Sequence, residues 1–282
     1  MRECVIEVKD MYFNYPDGTP ALQGINLNIY DGEFVALLGQ NGAGKTTFAK
    51  TLNGLLKPTS GYVKVGGIDT NQKGVIKKLV MQVGYIFQNP DHQLFNNHVK
   101  KEIAYAPRNI GLSPEEVERR VQDAARVAGV REEHFNMHPF FLTKGLRQRV
   151  SIASILALKP RVIIVDEPTT GQDFKQSIEV MEFLKMLNEK EGHTIIIITH
   201  EMDIIAKYAK RIIALARGKV LLDGPTNEVF AQSDILETTY VKPPEVTQLA
   251  QALSDYGIPK DIIDIEDLWS EFSNRIKGTE EQ

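Results

Sequence analysis

Gly39-Gln40-Asn41-Gly42-Ala43-Gly44-Lys45-Thr46 is the stretch that decides the fold. It fits G-x-x-x-x-G-K-[ST], follows the apolar run Phe34 to Leu38, which reads as a buried strand, and precedes a helix expected over Thr47 to Leu55. Glycines let such a loop turn its backbone N–H groups toward a β-phosphate, and the helix N-terminus adds partial positive charge. Lys45 would bridge β- and γ-phosphates and Thr46 would offer a hydroxyl to Mg²⁺. A glycine-rich turn without a ligand is the alternative, and the strand-loop-helix context disfavours it.

Three more strand ends carry polar groups suited to that loop. Val162-Ile163-Ile164-Val165-Asp166-Glu167 is an apolar strand closing on two acids, and a buried parallel strand normally ends at the ligand-bearing edge of its sheet. There Asp166 would hold Mg²⁺ through water and Glu167 would polarise an attacking water. Acids that merely terminate a strand are the alternative, a weaker one for a pair downstream of a phosphate loop. His200 follows the run Thr194 to Thr199 and could contact a γ-phosphate, although strand-end histidines are commonly packing or surface residues. Gln88 follows the run Val83 to Phe87 and could reach Mg²⁺ or the attacking water. Tyr15, ahead of the first long β run, could stack on a purine or simply pack at a sheet edge.

Farther out, Leu22, Ile25, Leu27 and Ile29 make an alternating apolar set ending at Asp31-Gly32, and Tyr62 to Val65 lies between Gly61 and Gly66-Gly67. From about Asn97 the period becomes helical. Val99, Ile103 and Ala106 share a face that Pro107 and Gly111 are expected to interrupt. Ser113-Pro114-Glu115-Glu116 supplies an N-cap, a proline at the first helical position and a capping acid, ahead of the stripe Val117, Val121, Ala124, Ala128. Residues from about 97 to 157 thus read as a helical insertion. Strands and helices then alternate as far as Arg211 to Ala216, the pattern of a parallel sheet with crossover helices, and a hairpin turns at Arg217-Gly218. After about Ser233 the chain is acidic and helix-prone, with Pro243-Pro244 inside it and a polar end at Glu280-Glu281-Gln282.

A chain of 282 residues accommodates one large domain with an appendage. With 33 Lys+Arg against 37 Asp+Glu, the net charge of −4 leaves no general basic surface for nucleic acid. The single cysteine, Cys4, rules out an internal disulfide framework and a multi-cysteine zinc site. Met1 to Asp10 lacks an apolar signal core, and no apolar run approaches the roughly 20 residues of a membrane helix. The expectation is a cytoplasmic protein that meets a membrane only through a partner.

In chain order, Tyr15, Gly39 to Thr46, Gln88, Leu142 to Arg149, Asp166-Glu167-Pro168, Gly171-Gln172-Asp173 and Thr199-His200 resemble the ATP-binding cassette (ABC) ATPases, over about Ile6 to Phe230. The resemblance implies an α/β fold: a P-loop NTPase core with a parallel sheet and an antiparallel β subdomain, a helical insertion subdomain, and a small, mainly helical C-terminal extension. It divides the chain into an ATPase domain, residues 1–232, and an extension, residues 233–282. It assigns ATP and Mg²⁺ as cofactors, with Tyr15 on adenine and Gly39, Gln40, Asn41, Gly42, Ala43, Gly44, Lys45, Thr46 and Thr47 around the phosphates. Thr46, Gln88 and Asp166 fall to the metal, and Glu167, His200 and Gln88 to hydrolysis. Leu142 to Leu146 corresponds to the signature that clamps the nucleotide of a second ABC ATPase subunit, in a homodimer or a heterodimer, with Thr143 and Gly145 as contacts. The family's L-S-G-G-Q is altered here, since Lys144 stands for a glycine and Leu146 for the glutamine. A clamp weakened in that way would call for a partner with an intact signature.

Val83 to Phe95, then Glu102-Ile103-Ala104, Pro107, Asn109 and Gly111-Leu112-Ser113, resemble more narrowly the ATPases of energy-coupling factor importers, and Pro243 to Ala250 resembles their dimer-stabilising extension. The implied role is a motor at the cytoplasmic face of the cell membrane. It would act with a transmembrane scaffold subunit and a substrate-binding membrane subunit to import a vitamin or transition-metal ion, without nucleic acid. Gln88 to Phe95, with Leu94 and Phe95 expected at the surface, would receive the scaffold. Alternatives are a soluble ABC ATPase outside transport and a slow nucleotide-gated switch. Glu167 and His200 weigh against a dead site, and the short stretch between Lys45 and Asp166 leaves no room for the long coiled coil of chromosome-type relatives.

Overall fold

Apolar runs without a polar face can be satisfied only by strands covered on both sides. The computed structural model describes residues 2–280 and bears this out; Met1 and, from the expected polar end, Glu281 and Gln282 lie outside the described residues. The chain opens with β1 (Cys4–Asn14) and β2 (Pro20–Tyr30), then runs through β3 (Phe34–Leu38) into α1 (Lys45–Leu52). Strands β4 (Ser60–Val65) and β5 (Ile68–Asp69) and a single turn, α2 (Ile76–Leu79), lead to β6 (Val83–Ile86). Helices α3 (Val99–Asn109), α4 (Pro114–Ala128) and α5 (Lys144–Leu156) come next, followed by β7 (Val162–Asp166), α6 (Phe174–Glu189), β8 (Thr194–Ile198), α7 (Met202–Tyr208), β9 (Arg211–Ala216) and β10 (Lys219–Pro225). Four helices close the chain: α8 (Thr226–Phe230), α9 (Ser233–Glu237), α10 (Glu245–Ala252) and α11 (Ile265–Glu280).

The main sheet has the order β10-β9-β3-β8-β7-β6, and its contacts from β9 to β6 are parallel. Period-two alternation sends Val35, Leu37, Ile164 and Ile196 to one face, where α1 and the second sheet, β2-β1-β4-β5, cover them. Ala36, Ile163, Ile195 and Ile197 point the other way, into a core shared with α3, α4, α5, α6 and α7. Hairpin β9-β10 turns at Arg217 and Gly218, both at positive φ (48° and 75°), as a two-residue hairpin turn requires. Its tip braces the phosphate loop: Gly218 N–H donates to the Ala43 carbonyl at 3.0 Å.

Several sequence expectations shift. The first long strand is β1, absent from the sequence reading because its buried positions are broken by register shifts, so Tyr15 follows a long strand and does not precede the first. Helix α1 starts at Lys45, two residues before the expected Thr47, and ends at Leu52. Pro107 lies inside α3 and does not interrupt it; it forgoes one i→i−4 hydrogen bond only two residues before the helix ends at Asn109. Ser113 caps α4 as expected, accepting the Glu116 N–H at 3.3 Å, a contact worth about 1 kcal/mol. Beyond α9, Ala250, Ile258, Ile262 and Leu268 form a small core of their own.

Gly84, in β6, sets how closely α5 approaches the sheet: a Cβ there would lie 2.1 Å from Cγ2 of Ile155. Because Ile155 is β-branched, that methyl cannot swing away freely. Gly84→Ala is therefore expected to lower unfolding free energy by about 1–3 kcal/mol, with Ile155→Ala in the same chain recovering part of the loss. Urea unfolding of the two single variants and the double variant checks both statements.

Candidate active site

The registers Leu37↔Ile198, Asp166↔Ile198 and Val165↔Ile86 bring the carboxyl ends of β3, β8, β7 and β6 to one edge of the sheet. The residues just past those ends are Gly39, Glu167 and, two further on, His200 and Gln88. All of them line one cavity of about 830 Å³, together with Gln40, Asn41, Lys45, Thr46 and Asp166. Another cavity, of about 410 Å³, lies at the opposite strand ends beside Arg161 and His193. Its guanidinium is already bonded to Glu3 and Asp31, at 2.9 and 3.0 Å.

Backbone geometry explains two glycines of the loop. At Gly39 (φ 146°) a Cβ would stand 2.3 Å from the Leu215 carbonyl oxygen, and at Gly44 (φ 104°) 2.9 Å from that of Ala21. Gly44 is also the N-cap of α1, so no side chain closes the helix and its first N–H groups face the loop. The buried Lys45 ammonium donates to the carbonyl oxygens of Gly39 (2.6 Å) and Gln40 (3.1 Å). Burial pulls its pKa below the ordinary lysine value, while the charges of Glu167 and Asp166 pull it back.

Opposite the loop, Asp166 Oδ2 accepts hydrogen bonds from Tyr85 (2.6 Å) and, weakly, from Thr46 (3.4 Å). Burial, then this hydrogen bond, pushes the Tyr85 phenol far above its usual range, so it stays a donor. One carboxylate and one hydroxyl in contact, with the Gln88 amide on the same cavity, form a hard-oxygen set. That suits a Mg²⁺ ion that keeps several waters and takes the rest from phosphate. Glu167 lies in the left-handed region (φ 50°). His200 Nδ1 donates to Glu167 Oε1 at 3.0 Å.

Tyr15 and Thr47 meet at the flank of the loop, hydroxyl to hydroxyl at 2.7 Å, and the Tyr15 ring packs edge-on against Phe13. Thr143 and Gly145 lie elsewhere. They begin α5, where Thr143 Oγ1 accepts the Leu146 N–H at 3.4 Å, and neither lines the cavity. Leu94 is buried in the helical core at 4% exposure, contrary to the expected surface position, whereas Phe95 is 62% exposed. The buried carboxylate of Glu102 explains the split. It accepts the N–H groups of Phe95 (3.0 Å) and Asn96 (2.6 Å) and holds that loop turned outward.

Sequence reading missed Tyr85, whose place beside Asp166 exists only once β6 pairs with β7. It also missed Tyr240, Val241 and Lys242, which join the cavity wall from the segment between α9 and α10. Nothing local marks those three except Tyr240 at φ 57°.

A family model described as ABC transporter matches residues 22–170. The energy-coupling factor transporter ATP-binding protein EcfA2 of Caldanaerobacter subterraneus subspecies tengcongensis is 41% identical over 281 residues, covering 97% of this chain and 98% of that protein. A longer ABC transporter ATP-binding protein of the same bacterium is 48% identical over 251 residues, and the chain spans 44% of its length. Among solved structures, cbiO1 from Clostridium perfringens, described as part of the ABC transporter complex cbiONQ, superposes with a TM-score of 0.75 at 36% identity. That match covers 88% of this chain and 99% of cbiO1. With the phosphate loop, acids and histidine gathered at one sheet edge, these likenesses place the chain in the ABC transporter family, among the ATP-binding proteins of energy-coupling factor transporters.

Proposed function

We propose that this chain is the ATP-hydrolysing motor of an energy-coupling factor importer, using ATP and Mg²⁺ in the cleft above. The observation that carries this reading is the hydrogen bond from His200 to Glu167 at the strand edge that also holds Lys45. When polyphosphate enters, Lys45 exchanges two neutral carbonyl acceptors for charged oxygens, an exchange that favours the nucleotide. Thr46, Asp166 and Gln88 would hold the metal, and Tyr85 fixes the Asp166 oxygen it bonds. A Mg²⁺ ion held there would supply Lewis-acid stabilisation of phosphate charge. Glu167 takes a proton from water as the water oxygen attacks the γ-phosphorus. The bond to the β,γ-bridging oxygen breaks, leaving ADP and phosphate. Tyr15, half-exposed beside Thr47, offers a ring face to adenine.

The signature lies off the chain's own cavity, which supports a head-to-tail dimer with a second ABC subunit, identical or not. Thr143 and Gly145 would then reach the partner's nucleotide. The extension after residue 232, with exposed Tyr256, Ile265 and Trp269, adds to that contact. No helix among the described residues is long and apolar enough to cross a membrane. Import would run through a scaffold and a substrate-binding subunit in the bilayer. Likeness to cbiO1, part of an ABC transporter complex, supports such an assembly; the cytoplasmic face and a vitamin or transition-metal cargo are what the resemblance of residues 83–95 and 243–250 to energy-coupling factor ATPases implies. The exposed pair Phe95 and Tyr105, edge to face with centroids 4.6 Å apart, suits apolar docking of the scaffold.

Three outcomes are expected. Lys45→Ala weakens equilibrium ATP binding by roughly 100-fold, and unchanged affinity would remove the phosphate-site assignment. Glu167→Gln keeps ATP affinity but lowers steady-state turnover by about 100-fold or more, since the amide cannot act as a base. Phe95→Ser weakens recovery of the membrane complex by roughly tenfold while the ATPase of the isolated chain is unchanged. Parallel loss of folding and ATPase would return Phe95 to a packing role.

A further inference from the structure

Two consecutive hydroxyls follow Glu167, and their bonds diverge. Thr169, buried, donates from Oγ1 to Glu201 Oε1, in the segment that carries His200. Thr170 donates from Oγ1 to Glu167 Oε2 at 3.1 Å, while His200 Nδ1 holds Oε1 at 3.0 Å. The Glu167 carboxylate is thus gripped at both oxygens, by groups following two different strands. Its backbone is equally fixed: Glu167 N–H donates to the Ile198 carbonyl at 2.8 Å, and the Thr170 N–H reaches back to the Glu167 carbonyl at 3.4 Å. Gly171, at φ 71°, follows, and its carbonyl accepts the Lys144 ammonium at 2.8 Å, tying the turn to α5.

We propose that Thr170 is a positioning residue for ATP hydrolysis, its hydroxyl setting the orientation in which Glu167 meets the attacking water. The proposal rests on the reading of Glu167 as the proton acceptor. Each carboxylate oxygen has two lone pairs, so bonds from Thr170 and His200 leave one on each oxygen and determine where those point. With the Thr170 hydroxyl gone, the carboxylate pivots about the His200 contact and spends less time aligned with the water. A hydroxyl that served only the turn would lower stability instead. One that served only a subunit contact would lower ATP affinity or KM behaviour and would act independently of Glu167.

The test uses the full chain with its partner subunits and compares Thr170→Val, Thr170→Ala and Thr170→Ser, each also in a Glu167→Gln background. Both hydroxyl-less variants are expected to lose about tenfold in kcat, with KM for ATP and equilibrium ATP affinity within about twofold of the parent. Thr170→Ser recovers most of the rate. In the Glu167→Gln background the same substitutions change the residual rate by less than about twofold, because the group they position has lost its base function. Thermal unfolding midpoints identify which of the two hydroxyl-less variants stays folded. A folded variant with parental kcat, a loss expressed in KM, or a tenfold loss that persists in the Glu167→Gln background overturns the proposal. Parental turnover by Glu167→Gln alone overturns the base assignment and the proposal with it.

Discussion

Parallel hydrogen bonding between β3, β8, β7 and β6 is the constraint on which this site depends. Apart from the Tyr85 phenol their interiors are apolar on both faces, so the charged groups of the site can be placed only at or beyond the end of each strand. Parallel direction puts those four positions at one edge, and matched register puts them at one level. A one-residue slip of β7 would send Ile164 toward the helical layer and carry Asp166 away from Tyr85. The close approach of α5 at Gly84 holds β6, the outermost strand, in that register against β7.

Electrostatics at that edge are balanced before any ligand arrives. Lys45 is desolvated, which disfavours its charge, and Asp166 and Glu167 restore part of what burial removes. The acids in turn accept hydrogen bonds from Tyr85 and Thr46 on Asp166 and from Thr170 and His200 on Glu167. Lys45 therefore gives up only carbonyl contacts to meet polyphosphate.

The altered signature is absorbed into the chain's own structure. Lys144, where the family has glycine, donates to the Gly171 carbonyl at 2.8 Å, tying the start of α5 to the turn that carries Thr170. Gln148 reinforces the tie through the Pro168 carbonyl (3.3 Å) and through Gln172, which bonds both Gln148 and Pro168. Leu146 packs against the helical core. On the proposed reading, the segment offered to a partner's nucleotide and the turn next to the proposed base Glu167 are thus one hydrogen-bonded unit, a route by which subunit closure and hydrolysis would be coupled.

Sequence by itself determined the strands of the main sheet and the groups at their ends, though not β1, because apolar runs, the spacing Gly39 to Thr46 and the pair Asp166-Glu167 are local patterns that local chemistry enforces. The capped helix α4, hairpin Arg217-Gly218 and crossover order were legible for the same reason. What it could not determine was which side chains from separate segments share an oxygen or a cavity wall. Tyr85 beside Asp166, Thr170 and His200 on opposite oxygens of Glu167, Leu94 inside while Phe95 faces out, and Tyr240 to Lys242 along the nucleotide cleft were decided only by the tertiary structure. Strand pairing and helix docking juxtapose residues 30 to 200 positions apart, and the angstrom-scale distances on which hydrogen bonding depends are set by packing, which no one segment encodes.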